Sequence, residues 1–127
     1  MESIDFVTLG TIASTEFPDI VLTAVVTDNK LRVLLVHNSY FDFWWSLNIE
    51  GRYAHHWERR HIDGTIYRFD NAPHTKWQHV KSFPHHLHFR SDSDVRESDI
   101  SLAPPESIRH ALTFAQGLLR SRSSQGQ

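Results

Sequence analysis

Tyr40-Phe41-Asp42-Phe43-Trp44-Trp45-Ser46-Leu47-Asn48-Ile49 alternates large apolar residues with a mostly polar set. Successive side chains of a strand point to opposite faces of its sheet, so a period of two predicts a strand with one buried and one solvated face. Phe41, Phe43, Trp45, Leu47 and Ile49 are the expected core set, and Asp42, Trp44, Ser46 and Asn48 the opposite one. His37, Asn38 and Ser39 make the turn before it. Further back, Ile20 to Val26 and Leu31 to Val36 are β-branched and apolar around Asp28-Asn29, residues that tolerate the positive φ of a tight hairpin. Residues 1–18 are expected to be an irregular arm or a short helix.

After Ile49, Glu50 and Gly51 turn the chain into a strand over Arg52 to Arg60, with Tyr53, His55, Trp57 and Arg59 on one face and Ala54, His56, Glu58 and Arg60 on the other. Asp63-Gly64 is a strong turn signal. It leads to a strand over Thr65 to Asp70, in which Ile66, Arg68 and Asp70 oppose Tyr67 and Phe69. Pro73 removes a donor and forces Ala72 towards extended geometry, so residues 71–82 are expected to be a loop. Pro84 allows a last strand over His85 to Phe89, at a sheet edge. Ser91 to Ser101 is polar and acidic and reads as a surface loop. Glu106 to Leu119 repeats apolar residues at three and four residue steps and predicts an amphipathic helix with Pro104 and Pro105 near its first turn. The tail, residues 120–127, is expected to be disordered. The reading is an α+β fold: an antiparallel meander of five or six strands with the carboxy-terminal helix on one face. The other face is left for water or for a partner.

A chain of 127 residues is expected to form a single domain, residues 1–127. With no cysteine there is neither a disulfide framework nor a thiolate metal site. The first ten residues lack a basic patch followed by an apolar run, and no segment approaches the ~20 apolar residues of a membrane span. The expectation is a cytoplasmic protein with no membrane association. The net charge of −2 conceals a division: residues 1–51 balance to −5, residues 52–90 to +4, and residues 91–127 to −1. Eight of the ten histidines fall in the basic middle third, which is therefore the part that would attract a polyanion.

Two motifs lie there: Arg68-Phe69-Asp70-Asn71-Ala72-Pro73-His74, and Phe83-Pro84-His85-His86-Leu87-His88. Arg68 and Asp70 share a strand face, as do His86 and His88, with His85 opposite. Histidine is the side chain whose ordinary pKa lies nearest neutrality, and no fold requires so many proton-carrying groups in one segment. Together the motifs resemble the signature of the TumE-type toxin family of bacterial and archaeal toxin–antitoxin systems. The aromatic and histidine-bearing stretch Tyr53 to Gly64 and the acidic stretch before a last helix are also similar. The likeness runs from about Leu31 to Leu119, and departs from the family in a longer linker through Lys76, Trp77, Gln78 and His79. It implies a toxin with a cognate antitoxin protein as partner.

The leading functional expectation is an endoribonuclease that needs no metal or other cofactor and cuts RNA by transfer to the 2′-hydroxyl. His86 and His88 are the candidate acid and base, with His74 as substitute, because an imidazole pKa suits proton transfer near pH 7. Arg68 would hold the phosphate and Asp70 orient a histidine. Asn71, Lys76, Trp77, Lys81 and His85 are the candidate substrate contacts. As residues lining a cleft, His86 and His88 are expected to make few core contacts. Two rivals remain. One is metal-dependent nuclease or nucleotidyl-transfer chemistry with Asp70, His74, His86 and His88 as ligands. The other is a toxin that binds and blocks a macromolecular target through exposed aromatics such as Trp44, Trp45 or Trp57. A homo-oligomer within the toxin–antitoxin complex fits any of these.

Overall fold

The computed structural model describes residues 3–125, with side chains as far as residue 121. Seven strands form one antiparallel sheet in chain order, β1 Val21–Thr27, β2 Lys30–Leu35, β3 Ser39–Trp45, β4 Tyr53–Arg59, β5 Thr65–Asp70, β6 His86–Arg90 and β7 Val95–Glu97. Helix α1, Phe6–Glu16, precedes them, a short α2, Arg60–Asp63, joins β4 to β5, and α3, Pro104–Gln125, ends the chain. The meander is the expected α+β fold, with one strand more than anticipated.

Alternation places the core. Leu31, Val33, Leu35, Phe41, Phe43, Trp45, Tyr53, Trp57, Tyr67, Phe69 and Leu87 all face one side of the sheet and are buried. Both long helices cover that side. Phe114 of α3 packs edge-on against Tyr67 and Phe69, and Phe6 of α1 reaches the Trp45 ring at 6.3 Å. α1 begins at Asp5, whose carboxylate accepts from the Thr8 backbone N–H at 3.1 Å, an ordinary N-cap. Arg109 of α3 donates to Glu16 of α1 at 2.9 and 2.8 Å, tying the helices together.

Several expectations are corrected here. β7 lies inside the polar stretch read as a loop; its three residues, Val95, Arg96 and Glu97, are too few to show a period. β6 is consequently an inner strand, hydrogen-bonded on both sides, and β1 and β7 are the edges. β3 stops at Trp45, where Ser46 Oγ accepts from the backbone N–H groups of Asn48 and Ile49 and bends the chain away. Leu47 and Ile49 are therefore 69% and 51% exposed instead of buried. α3 starts at Pro104 and continues to Gln125, so residues 120–125 are helical where a disordered tail was expected; residues 126–127 lie outside the described part. Among the described residues no helix is long and apolar enough to cross a membrane.

Candidate active site on the sheet face opposite the helices

The residues of β4, β5 and β6 that alternate away from the core carry the two motifs. Register sets them in rows across the strands. One row runs Asp42, His56, Arg68, His88 and Val95, and the next runs Trp44, Ala54, Asp70, His86 and Glu97. Neighbouring strands are about 4.8 Å apart, so Arg68 stands between two histidines and Asp70 directly opposite a third. The two sequence motifs thus converge on one place.

Its centre is Asp70. His86 Nε2 lies 2.8 Å from one carboxylate oxygen and His88 Nε2 3.4 Å from the other. The Nδ1 atoms point away, 2.9 Å from Pro84 O and 3.0 Å from Asp92 O. A carbonyl oxygen can only accept, so Nδ1 is the donor in both rings and Nε2 is the nitrogen left for Asp70. His86 Nε2, although close to the carboxylate, is off the line of a hydrogen bond and has no aligned partner. Burial disfavours charge on Asp70, yet the His86 and His88 contacts outweigh it and hold the carboxyl well below the usual range. Burial likewise opposes charge on His86, and the Asp70 contact overcomes it, leaving that pKa raised.

This cluster is not a cleft lining. His86, His88 and Asp70 are 1%, 6% and 5% exposed, which corrects the expectation of histidines with few packing contacts. The loop between β5 and β6 is near enough for the Trp77 ring to meet His88 edge-on at 6.0 Å. Deleting either histidine would therefore disturb packing as well as chemistry.

Arg68 is half-buried beside the cluster. Its guanidinium donates to the exposed carboxylate of Asp92, and its Nε to His56 Nδ1 at 3.4 Å. His56 Nε2 is 3.0 Å from Glu58, so the tautomer that satisfies both contacts has its proton on Nε2 and its lone pair facing Arg68. Burial lowers the His56 pKa, Glu58 opposes this, and the Arg68 charge lowers it further, favouring the neutral ring. Neither His56 nor Asp92 was among the sequence candidates. Parity put His56 on the Arg68 face; only the register made them neighbours.

The other candidates are dispersed. His74 is exposed at the start of the 3-10 turn Thr75–Trp77. Exposed Lys76 holds its ammonium 5.0 Å from the Trp77 ring centre. Lys81 is exposed by a surface hollow shared with Glu97 and Asp99. Asn71 accepts from the Tyr53 N–H at 3.0 Å and donates to Gly51 O at 2.8 Å, pinning the end of β5 to the turn before β4. His85 Nδ1 meets the Tyr53 hydroxyl at 2.9 Å, on the helix side of the sheet. Among the described residues, the group able to offer ligand atoms to one metal ion is Asp70, His86 and His88, all within 4.8 Å of one another. His74 is not in it.

His55 is a separate case, a core histidine 1% exposed. Burial pushes its pKa down to about 3. An unfolded histidine titrates near 6.5, so between those values the unfolded chain binds the extra proton and stability falls as pH falls. From pH 7.5 to pH 5 the expected loss from this residue is about 2 kcal/mol. His56 adds in the same direction and His86 opposes it. Urea midpoints at the two pH values check this: His55→Gln should flatten the dependence, and an unchanged slope would refute the assignment.

Compared with known proteins, the family model described as toxin TumE matches residues 12–118. No curated protein matches the chain. No solved structure does either.

Proposed function

We propose, starting from the fact that this chain belongs to the TumE toxin family, that it is the toxin of a toxin–antitoxin pair and cleaves RNA on the sheet face of His56, Arg68, Asp70, His86 and His88. The observation that carries this reading is the row in which Arg68 stands between His56 and His88, its Nε bonded to His56, with the Asp70 cluster beside it.

Cleavage by transfer requires the 2′-oxygen to attack phosphorus while the bond to the 5′-oxygen breaks, giving a 2′,3′-cyclic phosphate and a 5′-hydroxyl. A base must take the 2′-proton, an acid must give one to the leaving oxygen, and a cation must hold the phosphorane charge. His56 suits the base: it is neutral near pH 7 and its lone pair faces the guanidinium. Arg68 suits the phosphate, whose oxygens would take the place of the Asp92 carboxylate. The Asp70, His86 and His88 cluster lies on the other side of Arg68, where the leaving oxygen develops negative charge, and a proton held by the cluster or by water bound at it would pass to that oxygen. This modifies the acid and base pair expected from sequence, since His86 and His88 both turn towards one carboxylate and do not flank a substrate. Lys76 and Trp77, a cation beside a half-exposed indole, remain as contacts for a nucleotide. His74, exposed at the start of the 3-10 turn, stays a substitute proton carrier.

Purified chain added to total RNA should produce discrete fragments ending in 5′-hydroxyls, and its antitoxin in equal amount should stop their formation. RNA left intact by folded protein in excess would refute cleavage. A chain that arrests growth without touching RNA would favour the blocking mode instead.

A further inference from the structure

We propose that Asp70, His86 and His88 form a binding site for one divalent first-row transition cation such as Mn²⁺, Co²⁺, Ni²⁺ or Zn²⁺. The inference deepens the active-site reading by naming what supplies the positive charge at the cluster, and rests on that reading only for the cation's use.

Both Nδ1 atoms are committed to backbone carbonyls, so each ring offers Nε2 to Asp70 either as a lone pair or, if doubly protonated, as a donor. Two neutral rings would set two nitrogen lone pairs against carboxylate oxygens at 2.8 and 3.4 Å, which is repulsive. One proton relieves only one ring. Two protons place two imidazolium rings with centroids 4.8 Å apart, nearly closed off from water and next to the Arg68 guanidinium. Like charges at that range are unfavourable. A single cation satisfies both lone pairs and the carboxylate together.

Geometry agrees with this. A cation held at about 2.0 to 2.2 Å by nitrogen and oxygen donors spaces adjacent ligand atoms by about 2.9 to 3.5 Å. The observed Nε2 to oxygen distances of 2.8 and 3.4 Å, each to a different carboxylate oxygen, match that spacing, and ligand atoms that lie within 4.8 Å of one another would draw together around the cation. The Nδ1 bonds to Pro84 O and Asp92 O are the supports that orient metal-bound histidines and fix their tautomer. His86 Nε2, buried and without an aligned partner, is the atom that most requires such an explanation. Two nitrogens and one carboxylate favour a transition cation over Mg²⁺ or Ca²⁺, which prefer oxygen donors. Three protein ligands also leave a coordination position, which in so closed a site a single water would take.

The test uses the full chain without a histidine tag, stripped by chelator and dialysed, then titrated with Co²⁺ by visible absorption and with Zn²⁺ by calorimetry. One ion per chain should bind, and Asp70→Asn, His86→Ala and His88→Gln should each weaken binding by at least ~100-fold. His74→Ala and His79→Ala should leave it unchanged. Wild-type protein that binds no stoichiometric ion overturns the proposal whether or not the variants fold, as does binding that survives Asp70→Asn or is lost with His74→Ala. RNA cleavage is measured separately on the same samples. Cleavage by stripped protein that binds no ion sinks the metal site and leaves the ribonuclease reading standing; tight binding through these three residues with no cleavage does the reverse.

Discussion

Asp70→Asn should lower the rate of RNA cleavage by ~100-fold to ~10,000-fold while leaving a folded chain. Asparagine keeps the shape of the aspartate but not its charge, so both imidazoles lose their shared anion and the cluster loses its hold on positive charge, whether carried by protons or by a cation. The variant is preferable to an alanine at His86 or His88, each of which would open a hole in a site that is almost fully buried. Its stability cost should be about 1 to 3 kcal/mol, because the histidines can shed protons and the amide can still hydrogen-bond. Against the ~5 to 15 kcal/mol of a typical domain that is tolerable. Single-turnover rates and melting temperatures on the same preparations separate the two effects. A rate within tenfold of wild type would remove Asp70 from the chemistry.

Trp57→Ala should have the opposite profile, a loss of about 3 to 5 kcal/mol of stability. Trp57 is 1% exposed at the middle of β4, with its ring 6.1 Å from Phe41 and 5.2 Å from Tyr67. Its Nε1 also donates to the buried Ser39 hydroxyl at 3.0 Å. Alanine leaves a cavity between three strands and takes from Ser39 Oγ the donor that it accepts from. Trp45, 9% exposed at the end of β3, should cost less when truncated. Urea unfolding of the two variants gives the comparison, and a Trp57→Ala midpoint close to wild type would mean that the sheet is not anchored there. This position also lacks the exposure that a blocking surface would need.

The meander and the meeting of the two motifs were legible because both follow from parity. Counting along each strand sets Arg68 with Asp70 and His86 with His88, and the apolar alternates Phe69 and Leu87, which go to the core, put both pairs on the opposite side. Register between strands is less visible. That His56 stands beside Arg68 depends on how many residues α2 and Gly64 take up between β4 and β5, and Gly64, at φ +78, marks the turn without fixing that number. β7 is not legible in the sequence because three residues carry no period. The exposure of Leu47 and Ile49 arises from Ser46 capping the chain just where the alternation in the sequence runs on. Burial of the histidines is a tertiary effect of the chain that folds over β5 and β6, and no local signal in Asn71 to His85 announces it.

Whether this sheet face cleaves RNA can be read from the RNA of arrested cells. Wild-type and Asp70→Asn chains would be expressed without antitoxin at equal folded levels, and new 5′-hydroxyl ends mapped across cellular RNA. Wild type should give abundant new ends together with growth arrest, and Asp70→Asn neither. Growth arrest by both chains, or arrest by the wild type with no new RNA ends, would contradict it.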